Sequence, residues 1–471
     1  MIDFAFLPLI MCAASSFERN PIMTKTNSPV GALDLKKQES LKEEFQSERA
    51  NRVLSNALAR NGISDVIYDP SSLKEVNPVF SLEVKTMPAA NQKASGRCWI
   101  FAGLNVLREI VGKKLKLKEF ELSQNYIALY DKIEKANFAL ESILSLSDRD
   151  HDDRVLSFIL MDPVSDGGQW DMFVNLVKKY GIMPKAAFPE TFQSENTRQS
   201  DFLVNCRIRR FAAEAHALIA EGKEEEARLA KDKAMKDIYN LFIACFGLPP
   251  KSFDFAYEDS DKKYRLLKGM TPQSFFKKYV GDDIDFYQSL INSPTKDKPF
   301  GKNFTIDYLG NVIEGKPINH LNVTMDRMKE AILAQLKDGE PVWFGSDVSF
   351  YSDRDGYAWD DKHYDYESAF GFAPEFDKEN MLDFRGSAMN HAMVIVGVEI
   401  VDGKIKRWKI ENSWGSDRGL KGYYVMSSTW FDRFVYQAVV MKKYLTPEEV
   451  KATLEEPTHL PPWDPMGTLA D

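Results

Sequence analysis

Three short β-rich runs near the end of the chain restrict the fold more than any other feature. They are His391-Ala-Met-Val-Ile-Val-Gly-Val398, Ile405-Lys-Arg-Trp-Lys-Ile410 and Gly422-Tyr-Tyr-Val-Met426. Short strands punctuated by glycine need one another's backbone groups, so together they specify a sheet. What precedes them is patterned differently. Residues 36–60 read as an exposed amphipathic helix rich in Lys, Glu and Arg, and Trp99 to Arg108 has helical apolar spacing. A second helical stretch lies around Leu122 to Leu146. Phe211 to Phe246 is also helical and heavily charged, with Glu224 to Arg228 on a solvent face. Helices first and strands last predict an α+β architecture, whose two parts can face each other across a cleft.

At 471 residues the chain exceeds the size at which a single core stops growing, so a core with a large elaboration is expected. The charged block and its flanks, about 190–300, read as a mainly helical insertion. A net charge of -9 argues against a generally nucleic-acid-binding surface. The four cysteines, Cys12, Cys98, Cys206 and Cys245, include no CxxC pair. They specify neither a disulfide framework nor a zinc site and fit a reducing compartment. Phe4 to Ala14 has the length of a signal-peptide core but follows Asp3 rather than Lys or Arg, and it is short for a membrane span. Residues 1–35 are therefore expected to be a poorly ordered extension, with Met23 as an alternative start. Nothing later reads as transmembrane, and a cytoplasmic location is expected.

The most informative chemistry lies in Gln92-Lys-Ala-Ser-Gly-Arg-Cys98-Trp-Ile-Phe. A cysteine that follows a glycine-containing loop and opens a helix stands at the positive end of the helix dipole, which favours thiolate, the nucleophile of acyl transfer. Gln92 is close enough upstream for its amide to return beside the sulfur. Its side-chain N–H and the Cys98 backbone N–H could then hold a tetrahedral oxyanion. Alone, such a cysteine is as readily a buried structural residue. Downstream, however, His391 begins a β-rich run and Asn412 follows within Glu411-Asn-Ser-Trp-Gly415. The Asn412 carboxamide can accept from one imidazole nitrogen and leave the other for Cys98, while Trp414 covers the bond. Cys-His-Asn is a variant of the nucleophile-base-orienter arrangement.

These segments together resemble the papain-like cysteine peptidases, and within them the bleomycin hydrolase and aminopeptidase C branch. The resemblance rests on Ser95-Gly-Arg-Cys-Trp99, Asp166-Gly-Gly-Gln-Trp-Asp171, Asn390-His-Ala-Met393, Glu411-Asn-Ser-Trp-Gly415 and Pro462-Trp-Asp-Pro-Met-Gly-Thr-Leu-Ala470, and it extends from about residue 40 to the end. Two departures from the secreted papain pattern favour the narrower branch: Arg97 stands where a small residue is usual, and His391 lies far beyond the usual spacing of roughly 130–150 residues.

The resemblance implies a two-lobed papain-like core over 36–471 with a C-terminal arm, 460–471, in its cleft. It implies a cytosolic cysteine aminopeptidase acting on peptides with a free N-terminal amine, assembled as a homohexamer and using no cofactor and no metal. The arm from Leu460 to Asp471 would block the unprimed subsites, its terminal carboxylate holding the substrate's ammonium. Asp471 supplies that carboxylate, or Ala470 if the last residue is trimmed. Gly167 and Gly168 are similar to the paired glycines beside which an extended peptide runs. A papain-like endopeptidase, or a nucleic-acid-binding or scaffold protein without activity, are the rival readings.

Other clusters carry less. Asp148-Arg-Asp-His-Asp-Asp153 lacks a metal-ligand spacing and reads as an acidic loop, and Asp353-Arg-Asp-Gly356 lacks the distal Glu of a calcium loop and reads as a turn. Lys113 to Lys118 is one basic run on an acidic protein, so nucleic acid is possible as a partner but not indicated.

Overall fold

The computed structural model describes residues 31–353 and 356–470. The Phe4 to Ala14 run, Met23, Arg354, Asp355 and Asp471 lie outside the described residues. Two compact units divide between Ile67 and Tyr68. In the first, the amphipathic stretch forms two helices, Leu35–Ser47 and Arg49–Leu58, neither of which buries a residue. Glu48 between them is extended. The Ser47 hydroxyl turns back to the Glu44 carbonyl at 2.7 Å, a local bond that competes with continuation of the helix.

The second unit is built on strands β1 (Leu82–Glu83), β2 (Phe253–Glu258), β3 (Tyr264–Met270), β4 (Tyr287–Ile291), β5 (Asn303–Ile306), β6 (His320–Asn322), β7 (Val342–Ser346), β8 (Ala358–Trp359), β9 (His391–Val401), β10 (Lys404–Glu411), β11 (Tyr423–Ser427), β12 (Val435–Met441) and β13 (Thr458–Leu460). Strands β2 and β3 pair with each other. The other eleven form one sheet in the order β13-β5-β6-β4-β12-β7-β9-β10-β11-β8, with β1 alongside β9. The three β-rich runs are β9, β10 and β11, antiparallel neighbours in which Ile410 faces Ile395 on one side and Tyr424 on the other.

Both faces of this sheet are covered. In β9, Ala392 and Val394 enter a core with Trp99, Ile100 and Trp170, while Met393 and Ile395 enter a second core with Trp408, Phe431 and Ile332. A strand buried on both faces needs a continuous apolar run rather than alternation, and His391 to Val398 has one. The helix Cys98–Leu115 is buried nearly all round because it packs between this sheet and the helices Gln124–Ser145 and Trp170–Tyr180.

Helices Arg198–Ala220 and Glu224–Phe246 form a hairpin that packs through Val204, Ile208, Phe211, Ile238 and Phe242 at helical spacing. Glu224 to Glu226 and Arg228 are exposed, and Ala227 is buried. Helix stops at Gly247, whose φ of 97° lies in the left-handed region that a side chain disfavours. The remainder of the stretch to 300 is the β2–β3 hairpin, a short helix and β4, which lies inside the large sheet between β12 and β6. The architecture is α+β, as expected.

One buried cluster fixes the helix to the sheet. Arg108 donates to the Glu411 carboxylate at 2.6 Å and to the carbonyls of Met87 and Pro88 at 2.9 Å each. Asn105, three residues earlier on the same helix face, donates to the same Glu411 oxygen at 2.8 Å. Arg108→Met would leave the Glu411 charge buried without its partner, and a loss of about 3–5 kcal/mol in denaturant-unfolding stability is expected.

Candidate active site

Cys98 is the first residue of its helix, as its position after a glycine-containing loop requires. The sulfur is buried and accepts the Ala392 amide at 3.4 Å. Ala392 follows His391 at the start of β9, so one short strand end serves the sulfur and carries the imidazole. Burial pushes the Cys98 thiol up to about 11. The amides of Ala392, Trp99 and Cys98 oppose this, and the Asp166 carboxylate adds to it. The helix start therefore favours thiolate, as the sequence predicts, but desolvation outweighs it. An ionised sulfur here needs a cation beside it as well as the dipole.

His391 Nε2 lies 2.9 Å from Asn412 Oδ1. Asn412 is fully buried, and its Oδ1 also accepts the Ser413 amide at 2.8 Å. The Trp414 ring stacks on the imidazole with centroids 5.0 Å apart and planes 24° from parallel, so it screens the His391–Asn412 contact from water. With Nε2 engaged by the carboxamide, Nδ1 is the other ring nitrogen.

The Gln92 loop is laced to the Asn412 loop. Gln92 N–H donates to Ser413 O at 2.8 Å, Ser413 Oγ donates to Gln92 Oε1 at 2.8 Å, and Asn91 bridges to Trp414. A Cβ on Gly415, which has φ +91°, would lie 2.5 Å from Asn91 Nδ2, so the close approach of the two loops requires glycine there. One N–H of the Gln92 carboxamide is held by Ser95 O at 2.7 Å. Arg97 is turned away from the site, with Nε on Ser95 Oγ at 2.9 Å and Nη1 on Glu190 at 3.0 Å. The large residue before Cys98 is accommodated by that buried partner.

Gly168 has an occupant. Its amide donates to Leu469 O at 3.0 Å, and a Cβ there would lie 2.5 Å from the Trp99 ring. The Gly167 carbonyl accepts from Lys135 Nζ. Thus the backbone edge expected to meet a peptide meets the chain's own end. That end is well anchored: β13 pairs in parallel with β5, Lys298 and Asp464 form a buried pair at 2.9 Å, and Arg154 lies 3.7 Å over the Trp463 ring centroid. Thr468 Oγ1 donates to Met389 O at 2.9 Å, two residues before His391. Ala470 ends the 3-10 turn Pro465–Ala470, and Asp471 lies outside the described residues.

The clusters set aside in the sequence have local roles. Asp153 caps the helix Arg154–Met161 through the amides of Val155 and Leu156. Asp353 Oδ1 accepts the Gly356 amide at 2.8 Å in a turn, and Lys113 and Lys116 pair with Glu340 and Asp261. Lys135 touches the site without any sequence signature of its own, whereas Ser413 and Leu469 lie in quoted motifs whose spacing does not reveal these contacts. Each acts through a contact with a residue distant in the chain.

A model of the Peptidase C1-like family matches residues 32–467. Aminopeptidase C of Lactobacillus delbrueckii subsp. lactis is 48% identical over 423 residues, 89% of this chain and 94% of that protein. Aminopeptidase C of Listeria innocua serovar 6a is 44% identical over 432 residues, 92% of this chain and 98% of that protein. The crystal structure of PepW from Lactobacillus rhamnosis HN001 superposes with a TM-score of 0.89 at 42% identity, covering 93% of this chain and 99% of that one.

Gly168→Ala should force the Trp99 ring aside and break the Leu469 contact. A stability loss of about 1–3 kcal/mol is expected, with faster proteolytic nicking between residues 460 and 470 than in the wild type.

Proposed function

The chain belongs to the Peptidase C1-like family and is a papain-like cysteine aminopeptidase, and on that premise we propose that Cys98 is its nucleophile, His391 its general base and Asn412 the group that orients the imidazole. The observation that carries this reading is the buried 2.9 Å contact between His391 and Asn412, made by the strand whose next amide is bonded to the Cys98 sulfur.

In the reaction, the thiol proton passes to His391, and the thiolate attacks the carbonyl of the substrate's first residue. The Cys98 amide and the second N–H of Gln92 take the oxyanion. The imidazolium then protonates the departing amine, and water activated by the neutral imidazole releases the acyl group. Because burial disfavours a lone thiolate, sulfur and imidazole titrate as a pair. Activity is greatest between protonation of the thiolate and loss of the imidazolium, near neutral pH.

Restriction to the N-terminal residue is supported by the arm, since the Leu469 carbonyl takes the Gly168 amide beside which a further substrate residue would run. Ala470, or Asp471 before trimming, supplies the carboxylate that receives the substrate's ammonium, and Gly167 lines the same edge. A homohexameric working form in the cytoplasm completes the reading. It rests on the family resemblance alone.

Fluorogenic aminoacyl amides, free and N-acetylated, test this directly. The wild type should hydrolyse the free amides and spare the blocked ones. A variant truncated before Leu460 should lose that discrimination and accept N-blocked peptides. Equal rates on free and blocked substrates in the wild type would instead establish an endopeptidase. Asn412→Ala should lower kcat about a hundredfold, and Cys98→Ala should abolish turnover.

A further inference from the structure

One residue outside the triad grips the nucleophile segment from both sides. The Asp166 carboxylate accepts the Gly96 amide at 2.7 Å, and the Asp166 backbone carbonyl accepts the Trp99 indole N–H at 2.7 Å. These partners bracket Cys98 in sequence. The approach is tight, since a Cβ on Gly96 would lie 2.7 Å from the Asp166 Cβ. Behind Asp166 stand Lys132 Nζ at 2.8 Å and the Thr197 hydroxyl, and Lys132 also reaches Asp201 at 2.7 Å. Thr197 and Asp201 belong to the start of the Arg198–Ala220 helix. Burial pushes the Asp166 carboxyl up, but the Lys132 ammonium and the hydrogen bonds to it more than offset this and hold it well below the usual carboxylate range.

We propose that Asp166 is a positioning residue for the reaction: it fixes the Cys98 sulfur against the Ala392 amide and His391, and through Lys132 and Thr197 it ties that placement to the helical hairpin. Salt does not screen the strut, because Lys132 exposes only 1% of its side chain. The inference rests on Cys98 being the nucleophile. The groups that bear on the sulfur's ionisation are the amides of Ala392, Trp99 and Cys98 and the Asp166 carboxylate, with Lys132 behind it. Arg97, its neighbour in sequence, is committed to Glu190. A carboxylate beside the sulfur disfavours thiolate, so removing its charge moves thiol ionisation to lower pH.

The test is Asp166→Asn in the full chain. It reads kcat, KM and the pH midpoint of Cys98 alkylation by iodoacetamide, the last followed by mass spectrometry of the Cys98 peptide. The expected result is a fall in kcat of about a hundredfold with KM little changed. The alkylation midpoint should move down by about one pH unit. A slower enzyme with a more readily ionised sulfur separates placement from activation; a loss of folded protein would also lower the midpoint, toward that of a free thiol, and is told apart by the far-UV circular dichroism of the variant. Should that variant not fold, the Lys132→Met, Asp166→Asn, Asp201→Asn triple variant removes the whole charge cluster and should show the same fall in kcat. A folded variant of either kind with kcat within twofold of wild type overturns the proposal, as does an unmoved or raised midpoint in Asp166→Asn. Hydrolysis by Cys98→Ala at the wild-type rate would instead overturn the assignment of the nucleophile itself.

Discussion

The buried contact between Arg108 and Glu411 joins two pieces of chain, distant in sequence, whose register the site depends on. One is the helix that opens on Cys98; the other is β10, whose last residue precedes Asn412. Both charges are almost wholly shielded, so the pair and its hydrogen bonds must be made together or not at all. A helix that slipped by one turn would carry the sulfur about 5.4 Å along its axis, far outside bonding range of the Ala392 amide. Asn105 shares the same carboxylate oxygen and fixes the helix's rotation as well as its height. Through β10 and β9, paired with Glu411 opposite Val394, the same anchor sets the height of His391.

Around that anchor the site is assembled by loops that approach unusually closely. Gly415 lets the Asn412 loop meet Asn91, and Gly168 lets the cleft edge lie on the Trp99 ring. Near the first lies the buried His391–Asn412 bond, covered by the Trp414 ring, and near the second the partly buried Asp166–Trp99 bond. Burial also raises the energetic cost of a charged sulfur. A site that is dry enough to protect its hydrogen bonds must form its thiolate together with a counter-charge.

Much of this was legible in the sequence because it is written locally. The glycine-containing loop before Cys98 marks a helix start, the continuous apolar run after His391 marks a strand covered on both faces, and Asn412 stands in a motif that names its neighbours. Contacts between distant residues left no such mark. Nothing near Arg97 indicates Glu190, and nothing near Arg108 indicates Glu411. Asp166 was visible as part of a motif, but its grip on both flanks of Cys98 depends on three-dimensional proximity that spacing alone does not encode.

The stretch from about 190 to 300 is two kinds of structure in succession. The helical hairpin ending at Phe246 packs its apolar side into the core shared with Trp99 and Trp170, whereas β4 is the strand through which β6, β5 and β13 reach β12 and the rest of the sheet. Excising the hairpin would remove Asp201, the second partner of Lys132, along with its share of that core. Excising the whole stretch would instead cut the sheet into two pieces, and the smaller piece carries β13, on which the C-terminal arm begins. Any shortened version of this enzyme must therefore keep residues 287–291, and a chimera that exchanges the insertion with another protein has its safe crossover at Gly247 rather than near residue 300.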